Sequence, residues 1–146
     1  MADFVFRISP NVILGPYTLS RLGQIASAWG SNYMLIADPF LKEFGLVEKA
    51  VAALEEKGIS VFVFDDIPAA ATSETLTQAL ALARGAHVHG VISFGGLKTA
   101  SLGRAVASLY NEIHEIYDYL VGAQPYSAAL PFIEVPSPCR DPSVFL

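Results

Sequence analysis

Two adjacent glycines, Gly95-Gly96, end an apolar run and lead through Lys98-Thr99 into an amphipathic segment. Glycines allow backbone N–H groups to approach a phosphate, and the positive end of a following helix would face it. The spacing is not that of a Walker A loop. Gly90 and Gly95 are separated as in that motif, yet Gly96 stands where its lysine belongs and Gly90 lies inside the apolar run. A G-x-G-x-x-G pattern is absent. The same glycines also suit a ligand-free strand-to-helix turn that needs them only for its dihedral angles, and these residues alone leave both readings open. Lys98 bears on the choice. A lysine in a helix's first turn opposes the macrodipole by roughly 0.3–1 kcal/mol, and a bound anion would reverse that sign. A side chain bent outward into solvent would also relieve it.

Asp38 precedes Pro39 and a helical segment. A carboxylate at the end of a strand can accept hydrogen bonds from ribose hydroxyls. Asp followed by Pro is also an N-cap and a favoured first helical residue, and one side chain can serve both roles. His87 and His89 share one strand face, but no third metal ligand lies nearby in sequence, and a metal needs three or four. "HEIYD" (114–118) has Asp118 where the zinc motif H-E-x-x-H has its second histidine, and a solvated helix edge explains it better. There is no G-x-S-x-G elbow, and Cys139 has no evident histidine partner, which argues against triad catalysis.

The elements that must position these residues follow from apolar periodicity. Four segments carry an i, i+3, i+4, i+7 stripe: Leu22, Ile25, Ala26 and Trp29; Val47, Ala50, Val51 and Leu54; Leu76, Ala79, Leu80 and Ala83; Leu102, Ala105, Val106 and Leu109. Each covers one face of a helix. The first three stop near Gly30, Gly58 and Gly85, suited to the left-handed position after a helix. Short apolar runs follow: "YMLIAD" (33–38), "SVFVFD" (60–65) and "HGVISF" (89–94). Their continuous apolarity predicts strands covered on both faces, as in a parallel sheet. The alternation is that of an α/β domain, Rossmann-like, with helices on both faces. "FVFRISPNVILG" reads as an N-terminal β-hairpin around Ser9-Pro10-Asn11, and "LPFIEVP" (130–136) as a last strand.

In such a sheet, ligands bind beyond the carboxyl ends of the strands. The predicted rim therefore gathers Asp38-Pro39, Asp65-Asp66, Gly95 to Lys98, and Ser137 to Asp141. Composition narrows the alternatives. The 146 residues suit one domain, and 53% hydrophobic against 16% charged residues predicts a packed chain. A net charge of -5 without a basic run argues against nucleic acid as a partner. No apolar run reaches the roughly 20 residues that span a bilayer. A single cysteine rules out an internal disulfide and points to a reducing, cytoplasmic setting.

With these elements in place, the chain resembles the N-terminal, dinucleotide-binding half of the iron-containing alcohol dehydrogenase family. "ISPNVILGPYTLSRLGQIASAWGSNYMLIADPF" is similar to the opening of its glycerol dehydrogenase branch, and Gly95 to Arg104 to its G-G-G-[SK]-x-x-D-x-A-K motif. "IYDYLVGAQPYSAALPFIEVPS" is closer to the alcohol dehydrogenase branch. The resemblance covers nearly all of residues 1–146 as a single domain and implies binding of NAD or NADP. By resemblance, Gly95 and Gly96, with Leu97, Lys98 and Ser101 beside them in the motif, would lie at the pyrophosphate. Asp38 would meet the adenosine ribose, and Ser137 and Pro138 the adenine side. The resemblance also implies a homodimer paired through residues 4–15, and a divalent metal, iron or zinc, held by a C-terminal helical domain outside this chain. Dehydroquinate synthase shares the superfold and is a weaker match.

Four positions depart from the motif. Leu97 stands at its third glycine, Ser101 at its aspartate, Gly103 at its alanine and Arg104 at its lysine. "PSPCRDPSVFL" likewise loses the paired threonines of the alcohol dehydrogenase branch. A branched side chain at 97 obstructs close backbone approach to a pyrophosphate. The expectation is the NAD(P)-binding portion of a metal-dependent alcohol or glycerol dehydrogenase-like oxidoreductase. A non-catalytic derivative with a binding, regulatory or assembly role is the alternative. A third reading, an unrelated phosphate-ligand binder, rests on Lys98 and the glycine pair alone.

Overall fold

The computed structural model describes residues 18–67, 72–112 and 128–136. A 3-10 turn at Thr18–Arg21 runs into α1 (Leu22–Ser27), followed by β1 (Asn32–Ala37), α2 (Pro39–Glu43) and α3 (Leu46–Glu55). Then come β2 (Ser60–Phe64), α4 (Ser73–Gly85), β3 (Gly90–Gly95), α5 (Leu97–Leu109) and β4 (Phe132–Pro136). The four strands form one parallel sheet in the order β2-β1-β3-β4. The α/β class and the parallel sheet read from the sequence are both present. The expected N-terminal hairpin and the segments "HEIYD" and Ser137 to Asp141 lie outside the described residues.

The two central strands account for the continuous apolar runs. β1 and β3 are buried along nearly their whole length, because each has strands on both sides and helices on both faces. Met34, Ile36 and Val91 point to one face, where α4 and α5 cover them with Ala79, Leu80, Ala83, Leu102 and Val106. Tyr33, Leu35, Ala37, Ile92 and Phe94 point to the other, beneath Leu22 and Ala26 of α1, Leu41 of α2, and Val47, Ala50 and Leu54 of α3. Each fully buried Leu, Ile or Met contributes about 1.5–3 kcal/mol. β2 and β4 differ from expectation. They are only partly buried, since among the described residues they are the outer strands of the sheet.

Three local features also differ. Trp29, placed on the first helix's apolar stripe by its spacing, is 61% exposed, because α1 ends at Ser27, before that turn is completed. Gly58 ends α3 with a left-handed φ of 75°, as the sequence suggests, but Gly30 and Gly85 are not left-handed. A β-carbon at Gly30 would come within 2.5 Å of the His89 β-carbon, so close approach is what requires glycine there. After α4 it is His87 that takes the left-handed conformation, at φ 53°. Asn32 steadies this turn by donating through Nδ2 to the carbonyls of Ala86 and His87, at 2.8 and 3.1 Å.

Tyr33 illustrates how closely the layers approach. Its ring lies where a β-carbon on Gly90 would be, and its hydroxyl donates to the Ala26 carbonyl at 2.7 Å. Burial pushes its phenol above the usual value of 10.0. On the opposite face Arg84, at the end of α4, donates to the carbonyls of Leu109, Tyr110 and Glu112 at 2.9, 3.1 and 2.9 Å. Leu109 and its cap Tyr110 close α5 and Glu112 follows them, so one guanidinium ties the end of α4 to the end of α5 and the turn after it.

Candidate functional site

The strand order locates the site. From β1 the chain crosses by α3 on one face to β2, then by α4 on the opposite face to β3, on the other side of β1. The direction of winding therefore reverses between β1 and β3. At such a switch point the connections leave the strand ends in opposite directions and open a crevice at the carboxyl edge, where α/β sheets bind ligands.

Asp38 and Gly95 occupy the two sides of that point. The Asp38 N–H donates to the Phe94 carbonyl at 3.0 Å, extending the pairing of β1 and β3 by one bond. Asp38 Oδ1 accepts from the Phe40 N–H at 3.0 Å and caps α2, with Pro39 at the first helical position. The cap reading from the sequence is thus correct. A carboxylate has two oxygens and several lone pairs, so capping leaves chemical capacity for a second donor.

Gly95 has φ 152°, a conformation that favours glycine. A β-carbon there would lie 3.0 Å from the Asp38 β-carbon and 3.0 Å from Thr99 Oγ1. Gly96 follows in an extended conformation as the N-cap of α5 and contributes no side-chain cap. Leu97 is the first residue of α5, with its side chain 54% exposed, and Lys98 beside it is exposed. The structure therefore brings Asp38, Gly95, Gly96, Leu97 and Lys98 to one rim. Ser101 lies a turn further into α5 and is exposed. Ser137 and Pro138 fall outside the described residues, although Pro136, which precedes them, is in register with Gly95.

Thr99 is a site-forming residue that the sequence reading passed over. It is 1% exposed and packs against Gly95 under the rim. Its spacing was the available signal, since Thr99, Leu102, Gly103 and Val106 all lie on the buried face of α5.

Two of the four motif departures have a local packing explanation. A β-carbon at Gly103 would lie 2.8 Å from the Phe132 ring, so the ring occupies the space an alanine would need. Arg104 lies over the same ring, 5.8 Å from its centroid, and pairs with Glu134 at 3.4 Å. Ser93 lies beneath this contact, and its buried hydroxyl has no hydrogen-bond partner.

At the opposite, amino-terminal edge of the sheet, His89 Nδ1 accepts from the Ser31 N–H at 3.1 Å, an atom already engaged in the fold. Among the described residues no cluster of three His, Cys, Asp or Glu side chains could hold a metal. Among them, too, no helix is long and apolar enough to cross a membrane.

The sequence profile described as "Iron-containing alcohol dehydrogenase" matches residues 9–140. A long-chain-alcohol dehydrogenase 1 of Geobacillus thermodenitrificans (strain NG80-2) is 33% identical over 97 residues, covering 66% of this chain and 25% of that protein. Alcohol dehydrogenase 4 of Schizosaccharomyces pombe (strain 972) is 27% identical over 96 residues, covering 66% and 23%. The crystal structure of an NADH-dependent butanol dehydrogenase A from Thermotoga maritima has the same fold, with a TM-score of 0.81 and 23% identity. That likeness covers 92% of this chain and 34% of that one. The chain thus spans about a quarter of the length of the curated relatives it matches. By its profile match, its strand order and its glycine rim, the chain belongs to the iron-containing alcohol dehydrogenase family.

Proposed function

We propose that residues 1–146 form the NAD(P)-binding domain of a metal-dependent alcohol dehydrogenase-like oxidoreductase. The observation that carries this reading is the meeting of Asp38 and Gly95 at the switch point, beside the N-terminus of α5. A bound dinucleotide would supply the hydride chemistry. The chain's own residues would bind and orient it. The backbone at Gly95 and Gly96 and the positive end of α5 would face the pyrophosphate, with Lys98 adding charge. Asp38 would accept from the adenosine ribose hydroxyls, and its negative charge would disfavour a 2′-phosphate, so the preferred cofactor is NAD. The metal, iron or zinc, would be held by residues other than the described ones, which contain no cluster of three His, Cys, Asp or Glu side chains, and would polarise the substrate oxygen. Lys98-Thr99 matches the glycerol dehydrogenase form of the motif, which makes a polyol or simple alcohol the proposed substrate. Pairing of two copies through the N-terminal strands completes the proposal.

A non-catalytic derivative is favoured by one observation, the exposed Leu97 where the motif has glycine. Helical side chains tilt toward the N-terminus, so Leu97 would lean toward the N–H groups that a pyrophosphate must reach. Gly103 and Arg104 do not add to this reading, because Phe132 and Glu134 account for them. Titration with NADH and NADPH, followed by nicotinamide fluorescence, separates the two. The dinucleotide reading expects saturable binding, tighter for NADH, and tighter still in Leu97→Gly. No binding by either the native protein or Leu97→Gly would sink it.

A further inference from the structure

Lys42 and Asp65 form an ion pair at 3.2 Å next to this rim. Asp65 directly follows β2, and β2 lies beside β1, which ends at Asp38. Lys42 follows Asp38 by four residues, one turn along α2, so the two start from the same side of that helix. Asp38, Lys42 and Asp65 therefore stand together at the carboxyl ends of β1 and β2. Two carboxylates against one ammonium leave this group net negative, and Glu48 and Glu55 line the groove on the other side of Lys42.

We propose that Lys42 is a concealed ligand for a 2′-phosphate, and that its pairing with Asp65 sets the preference for NAD over NADP. This rests on the dinucleotide reading above and extends it from Asp38 to a second determinant. An ammonium at the ribose end of a dinucleotide site is the group that a 2′-phosphate requires. Here Asp65 neutralises it. The pair is solvent-exposed, with the two side chains 65% and 34% accessible, so the contact itself stabilises little, and Asp65 acts chiefly by cancelling the Lys42 charge and repelling a phosphate. Neutralising Asp65 would remove the carboxylate that engages Lys42 and free its ammonium for a phosphate of about two negative charges at neutral pH, with Glu48 and Glu55 the acids left in its groove.

Binding of NADH and NADPH to the native protein, Asp65→Asn and Asp65→Asn/Lys42→Met tests this. Asp65→Asn should tighten NADPH about tenfold at low salt, with the gain shrinking as salt screens it. NADH affinity should change by less than about twofold, since it lacks the 2′-phosphate. Adding Lys42→Met should remove the gain. An unchanged ratio of the two affinities in Asp65→Asn, or a gain that survives loss of Lys42, would overturn the assignment while leaving the dinucleotide reading intact. Failure of every variant to bind either cofactor would refute both.

Discussion

Gly95 holds the rim together because it has no side chain. Its φ of 152° and its closeness to Asp38 and Thr99 are separate demands: the first strains any residue with a β-carbon, and the second would make both neighbours shift. Gly95→Ala should therefore lower stability by about 2–3 kcal/mol, combining backbone strain with displaced neighbours. It should also weaken NADH binding, because the displaced groups are the cap of α2 and the first turn of α5. Urea unfolding measures the first effect, and a loss below about 0.5 kcal/mol would mean that the loop relaxes freely. The sequence marked Gly95 as half of a glycine pair but not which demand it met. Asp38 was legible as the cap of α2, since Asp-Pro is a local signal. Thr99 was not, because a hydroxyl on a buried helix face looks like any polar residue until the glycine opposite it is known.

Along the elements, the contact of α5 with β4 explains substitutions that sequence alone presents as losses. Gly103 and Phe132 are one packing unit, with Arg104 over the ring and Glu134 beside it. Restoring the motif's alanine by Gly103→Ala should cost about 1–3 kcal/mol through overpacking. In a Phe132→Leu background the same change should cost much less. A double-mutant cycle from chemical denaturation should give a coupling above about 0.5 kcal/mol, and additive effects would refute the account. The four helical stripes were readable because 3.6-residue periodicity is written into the order of residues. The interlock was not, since Gly103 and Phe132 lie far apart in sequence. Arg84 is a similar case: its bonds to the end of α5 depend on how two helices meet across the sheet.

For the whole molecule, the proposed pairing of residues 4–15 between two copies should give a dimer in sedimentation. A monomer at the highest attainable concentration would exclude it. Exposed strand edges invite partners, which is the physical basis for expecting one. What the sequence determined by itself was the α/β alternation, the sites of the strands and helices, and the family, because local periodicity and turn chemistry act within a few residues. Only the tertiary structure decided the order β2-β1-β3-β4, and with it which strands are central, where the winding reverses and which strand ends face each other. Strand order depends on which faces the crossing helices cover, a property of long-range packing that no local pattern carries. That order turns Asp38 and Gly95, 57 positions apart in the chain, into neighbours on one rim.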